Sequence, residues 1–167
     1  MDKVISTVLL IAISMILAML LFNAAYPAVI QGSDAIVNMA DRADDRLKSQ
    51  ISVIHASGEL DNTGFWQDTN GNAQFEVFIW VKNLGSTRII SLDQTDVFFG
   101  QEGNFSRVSY NSGSYPYWTS EVENAEEWTP TSTLKITIHY GVPLSAGRYF
   151  VKVTLPNGIS SDYFMGM

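Results

Sequence analysis

Val4-Ile5-Ser6-Thr7-Val8-Leu9-Leu10-Ile11-Ala12-Ile13-Ser14-Met15-Ile16-Leu17-Ala18-Met19-Leu20-Leu21-Phe22 contains no charged residue, and the uncharged stretch runs on to Ser33. Fourteen of these nineteen residues are large and apolar. Each is worth ~1.5–3 kcal/mol on full burial, a gross ~20–40 kcal/mol that exceeds the net stability of most domains. Such a helix needs a cover, and the rest of the chain needs its own core. The cover is a bilayer, other copies of the same helix, or each in turn. At ~1.5 Å per residue the run spans ~28 Å, about the hydrocarbon thickness of a bilayer. A secretory signal would show a basic leader and a shorter apolar run; here Lys3 is the lone base, beside Asp2. The run reads as a stable spanning helix.

Beyond Ser33 the pattern changes without ending. Ile36, Ala40, Ala43, Leu47, Ile51 and Ile54 recur at three- and four-residue steps, while Asp41, Arg42, Asp44, Asp45, Arg46 and Lys48 fill the other faces. This is an amphipathic helical pattern, with Gly58 as its stop signal. The reading is a helix over residues 1–57, fully apolar over 1–33 and amphipathic over 34–57, its distal part resting on the following domain. Pro27 cannot donate to the carbonyl of Asn23, so a kink is expected at Asn23–Pro27. Thr7, Ser14, Ala18 and Ala25 fall on one narrow stripe, where small side chains allow close helix–helix approach.

Residues 58–167 read as the outer domain, and from about Phe65 the periodicity is two. Phe75, Val77, Ile79 and Val81 alternate with Glu76, Phe78, Trp80 and Lys82; Leu134, Ile136 and Ile138 alternate with Lys135, Thr137 and His139; Tyr149, Val151, Val153 and Leu155 alternate with Phe150, Lys152 and Thr154. These are strands, punctuated by turn signals such as Asn70-Gly71, Leu84-Gly85-Ser86 and Pro156-Asn157-Gly158. Weaker strands are expected over Ile89–Leu92, Asp96–Phe99, Arg107–Tyr110 and Ile159–Met165, and a long aromatic, acidic loop over Asn111–Thr133. The fold class is α+β: a long N-terminal hydrophobic helix followed by an antiparallel, Ig-like β-sandwich.

Composition narrows function. A net charge of −7 speaks against nucleic acid, which needs clustered Lys and Arg. The chain has no cysteine and two histidines, His55 and His139. Neither sits in a metal-ligand spacing, and no nucleophile elbow or phosphate loop is present. No cofactor and no enzymatic activity are expected. Glu121, Glu123, Glu126 and Glu127 read as a solvated acidic loop. Asp68, Asn70 and Asn72 offer oxygens at alternate positions, as a calcium loop would, but Gly71 comes two places early for an EF-hand and Ile79 stands where its glutamate belongs. A turn explains them without a metal. Asn104-Phe105-Ser106 is a sequon for N-glycosylation in a predicted outward loop.

The run Val4–Phe22, the stretch Val77-Phe78-Ile79-Trp80-Val81-Lys82-Asn83-Leu84-Gly85-Ser86-Thr87-Arg88-Ile89 and the segment Asp96-Val97-Phe98-Phe99-Gly100 together resemble the pilin-like subunits of archaella, the archaeal flagella. Ile5 stands where bacterial type IV pilins carry a glutamate, which favours the archaellin-like side, and the start Met1-Asp2-Lys3 lacks the short basic leader of pilin precursors. The resemblance implies a subunit of a motility filament that polymerises through its helix, inserts in the membrane before assembly, and ends outside the cell. It further implies partners: other copies of itself, the membrane, and an assembly platform with an ATPase motor. Two other readings compete. One is an accessory or stator-like protein of the same machine. The other is a membrane-anchored extracellular module that binds carbohydrate or protein through Tyr115, Tyr117, Trp118 and Trp128.

Overall fold

The computed structural model describes residues 2–167. It divides into two compact units, one ending at Ala43 and the other comprising Asp44–Met167. A single helix, α1 (Asp2–Lys48), is followed by eight strands: β1 (Ile51–Gly58), β2 (Phe75–Asn83), β3 (Asp96–Gln101), β4 (Asn104–Tyr110), β5 (Tyr117–Val122), β6 (Thr133–Tyr140), β7 (Arg148–Thr154) and β8 (Ser160–Gly166). The helix is unbroken through Asn23 and Pro27.

Its end corrects the sequence reading. The helix stops at Lys48, and Ile51–Gly58 is strand where the spacing predicted helix to residue 57. The physical reason is a β-bulge. Strands β1 and β2 pair in regular antiparallel register from Ile51↔Asn83 to Val53↔Val81, then the register shifts by one residue at Ile54 before His55↔Trp80. The extra residue resets the alternation, so the buried positions are Ile51, Val53 and Ala56. That irregular spacing mimics a helical stripe. β-Branched Ile51, Val53 and Ile54 fit a pleated surface well, and seven residue pairs of ladder with β2 decide the outcome.

In order along the hydrogen-bonded array the strands run β1-β2-β6-β5-β4-β3-β7-β8. All neighbours are antiparallel except β4 and β5, which are parallel over two residue pairs, Ser109↔Tyr117 and Tyr110↔Trp118. At the far ends of the array β1 and β8 approach each other, and the Val53 amide donates to Ser161 Oγ at 3.0 Å. The result is a barrel-like sandwich. Val77, Ile79, Val81, Leu134, Ile136 and Ile138 from one half meet Val97, Phe99, Val151 and Val153 from the other, all essentially without solvent exposure. Inside the stretch read as a loop, Tyr117–Val122 is a strand. Ile89 forms only an isolated bridge to Trp128, and a 3-10 turn, Leu92–Gln94, follows it.

The turn after β2 clasps the end of the helix. Ser86 N donates to Lys48 O at 2.8 Å, and Leu84 N and Gly85 N both donate to Gln50 O, at 2.7 and 2.9 Å. Fully buried Asn83 shapes the turn: its Oδ1 accepts from Gly85 N, and its Nδ2 donates to the carbonyls of Thr87 and Trp128. A Cβ at position 85 would stand 2.2 Å from Lys48 O and 2.7 Å from Gln50 N, so glycine is required there for space. Gly85→Ala is therefore expected to cost about 2–4 kcal/mol, whereas Gly166→Ala, whose Cβ meets nothing within 4 Å, should be near neutral. Thermal denaturation of both variants followed by circular dichroism checks this; equal melting temperatures would remove the clasp from the account.

Candidate functional site: an uncovered apolar helix

In a single copy every residue of α1 from Lys3 to Lys48 is exposed. Leu10 is 66% and Met19 69% exposed, and a contiguous apolar surface of this length is rare on monomeric soluble proteins and marks a membrane or protein contact. Among the described residues this is the one helix long and apolar enough to cross a membrane. Two of its hydroxyls are already satisfied by their own backbone. Thr7 Oγ1 donates to Lys3 O at 2.6 Å, and Ser14 Oγ donates to Ile11 O at 2.8 Å. Such back-bonding lets a hydroxyl enter an apolar phase without a lost hydrogen bond. Ala18 and Ala25 lie exposed on the same helix.

The last helical turn joins the strands through polar contacts. Arg46 Nε donates to Asn157 O at 2.9 Å, while Lys48 pairs within the helix, with Asp44. Leu47, expected to rest on the sandwich, is instead 85% exposed. The side chain that reaches the strands is its neighbour Arg46.

Asp68, Asn70 and Asn72 build a turn. Asp68 accepts from Gly71 N at 2.6 Å and from Ala73 N at 2.9 Å; the Ala73 amide, followed by that of Gly71, holds its carboxyl below the usual carboxylate range. Asn70 Oδ1 and Asn72 Oδ1 accept from the amides of Asn72 and Gln74, while their Nδ2 groups donate to Glu76 at 2.7 and 2.9 Å. The side-chain oxygens of all three residues are thus spent on backbone amides. Among the described residues no group of three His, Asp or Glu is placed to hold a metal.

Two buried carboxylates escaped the sequence reading. Glu59 accepts from Trp66 Nε1, from the amide and hydroxyl of Thr69, and from Glu76 N, and so anchors the long β1–β2 connection. Glu76 Oε1 lies 2.9 Å from His139 Nδ1, though out of line for a hydrogen bond, and His139 Nε2 lies 3.0 Å from Thr119 Oγ1. The Tyr117 ring stacks on His139 at 4.6 Å. Glu76, Thr119 and His139 line an open pocket of ≈ 190 Å³ with Lys135 and Glu121. Strand alternation put Glu76 and His139 on the polar face, but no local signal shows that loop residues 59–74 fold over them.

The acidic stretch does not gather into one site. Glu121 pairs with Lys135 at 3.1 Å, Glu123 accepts from Trp80 Nε1 at 3.2 Å, and Glu127 pairs with Arg88. Trp118 and Trp128 are each 1% exposed, which overturns the aromatic binding platform: both are core residues. Tyr115 remains exposed, and Tyr117 is half-buried against His139. Asn104 opens β4 and is exposed, placing the sequon on an accessible strand end.

The profile of the archaeal-type flagellin family matches residues 2–163. This chain belongs to that family. Among solved structures it is similar to the archaellum periplasmic stator protein FlaG from Sulfolobus acidocaldarius, with 30% identity and a TM-score of 0.55 over 70% of this chain and 99% of that one. It is likewise similar to a chain of the FlaF and FlaG stator complex from the same organism, at 32% identity, TM-score 0.54, and 70% and 88% coverage. The archaeal flagellin FlaB1 from Methanocaldococcus jannaschii shares the fold at 13% identity and TM-score 0.50, over 71% of this chain and 90% of that one. A protein of Archaeoglobus fulgidus is 22% identical over 97% of both chains. The chain is thus an archaellum-related protein.

The compact unit Asp44–Met167 contains the whole core. A chain starting at Asp44 is expected to stay in solution without detergent and keep its β signal, whereas the full chain should need detergent or lipid. Sedimentation and circular dichroism decide it; aggregation of the shortened chain would mean that the strands depend on the helix.

Proposed function

We propose that this chain is a membrane-anchored accessory subunit of the archaellum, of the stator type, whose helix spans the bilayer and whose β domain works outside it. The observation that carries the reading is the contrast in similarity. Over 70% of its length the chain matches nearly all of a stator FlaG at 30% identity, against 13% for a flagellin of the same fold. The helix supports it: satisfied hydroxyls and an uncharged run of bilayer length suit a permanent anchor. The role is structural, that of holding and docking, and involves no turnover of a substrate. The partners of this reading are the membrane, the other archaellum components, and through them the assembly platform and its ATPase motor.

A second reading is the filament subunit itself, a homopolymer formed through the N-terminal helix with the β domain on its outside. The exposed stripe Thr7, Ser14, Ala18 and Ala25 favours it, because small side chains let neighbouring helices approach closely. The kink expected at Asn23–Pro27 would serve either reading, as the place where the apolar half gives way to the amphipathic one.

Shearing separates the two. The stator reading expects the chain to remain with the membrane fraction when filaments are sheared from cells, and to be scarce in the sheared material by mass spectrometry. Finding it as the main band of the filaments would establish the second reading instead. In that case Ala18→Leu should lower filament yield more than Leu17→Phe, since overpacking at a close contact costs ~1–3 kcal/mol per site.

A further inference from the structure

The barrel-like array has an opening. Strand β4 pairs with β3 from Gln101↔Asn104 to Val97↔Val108, but with β5 only at Ser109 and Tyr110. On the side away from β3, the stretch from Asn104 to Val108 therefore has no strand partner among the described residues. In an antiparallel ladder every second residue directs its N–H and C=O to the side away from its partner, so this edge offers free backbone groups. Native proteins blunt such edges with proline, charged side chains or a covering loop; the one charge on this stretch, Arg107, is paired with Asp96 of β3 rather than left bare at the edge. Asn104-Phe105-Ser106-Arg107-Val108 has neither Pro nor Lys, and all of its residues but Val108 are exposed.

A row of aromatic rings leads to that edge across the outer face. Phe164 on β8, Phe150 on β7 and Phe105 on β4 lie in one cross-strand line, with Gly100 of β3 between the last two. Ring centroids are 5.1 Å apart for Phe150–Phe164 and 4.6 Å for Phe105–Phe150. Phe105 and Phe164 are 47% and 43% exposed. The charges around the row balance: Arg107, Arg148 and Lys152 against Asp96, Glu102 and Asp162. That leaves 7 of the 10 Lys and Arg and 14 of the 17 Asp and Glu elsewhere, so the rest of the chain carries the whole net charge of −7.

We propose that the open edge of β4 docks a second copy of this chain, antiparallel β4 to β4, about a two-fold axis at Ser106. Ser106 is the midpoint of the unpaired stretch 104–108. That register sets Ser106 opposite itself, Asn104 opposite Val108, and Phe105 opposite Arg107 of the second copy. The aromatic row then runs on into a guanidinium, a cation–π pair made twice by symmetry. Any one-residue slip would place residues of opposite faces together, and the register centred on Arg107 would set arginine against arginine. The neutral patch is where two copies of an acidic chain can meet without repulsion. A strongly charged partner or an anionic lipid surface would call for a net opposite charge, which the patch lacks. The rings are inclined at 48° and 53° to their neighbours, so they form no flat platform for a sugar. The contact is independent of whether the chain serves as stator or as filament subunit.

Because the chain has no cysteine, a single introduced thiol tests the geometry. Directly opposed residues in an antiparallel pair are ~4.5–5.5 Å apart at Cα, within disulfide range. The full-length chain, made in a host without N-glycosylation and held in detergent, is oxidised as Ser106→Cys and, for comparison, as Ser160→Cys on exposed β8. The expected result is a covalent dimer from Ser106→Cys alone, and dimerisation roughly tenfold weaker when Phe105→Ser removes both cation–π pairs. On the unaltered chain, the amides of Asn104–Val108 should gain hydrogen-exchange protection as concentration rises. Equal crosslinking at positions 106 and 160, a dimer indifferent to Phe105→Ser, or exchange at β4 independent of concentration would each overturn the proposal.

Discussion

A helix that ends against a folded domain leaves its last carbonyl oxygens without partners inside the helix. In this chain Ser86 N–H reaches Lys48 O, and Leu84 and Gly85 N–H reach Gln50 O two residues on. Each such bond contributes only ~0.5–1.5 kcal/mol net, yet leaving a buried carbonyl bare would cost more. The clasp exists because Asn83, fully buried, holds the turn with three side-chain hydrogen bonds, and because Gly85 has no Cβ to strike Lys48 O. From that hand-over the chain enters β1, pairs with β2, and begins the sandwich. The segment Val81-Lys82-Asn83-Leu84-Gly85-Ser86-Thr87, part of the stretch by which the sequence resembles archaellins, is thus the piece that joins helix to strands.

Much of this was legible in the sequence. The apolar run, the period-two strands around Val77–Val81, Leu134–Ile138 and Tyr149–Val153, and the turn at Leu84-Gly85-Ser86 all follow from local chemistry. The misreadings share one cause, which is pairing with distant partners. Ile51–Gly58 reads as helix because a bulge at Ile54 breaks the alternation, and only the ladder with β2 reveals the strand. Trp118 and Trp128 read as a surface platform because they sit among serines, threonines and glutamates, yet both close the core. Glu59 and Glu76 gave no signal, since their partners Thr69, Asn70, Asn72 and His139 meet them only once the β1–β2 connection folds back.

The two units make opposite demands on solvent. Asp44–Met167 has a buried apolar core of its own and carries most of the charge. The helix does the reverse, presenting Val4 to Phe22 bare while Thr7 and Ser14 fold their hydroxyls back on their own backbone. A family of archaellum components fits that division. Whether the helix ends in lipid or among neighbouring helices, its surface is suited to a phase without water, and the β domain is left free to meet other proteins.

That division rests on where the helix lies, and spin labelling in native membranes measures it most directly. A single label at Leu17 and another at Leu47, each introduced through cysteine in the cysteine-free chain, report access to a water-soluble paramagnetic reagent. The account predicts almost no access at Leu17 and free access at Leu47. Equal aqueous access at the two positions would contradict it.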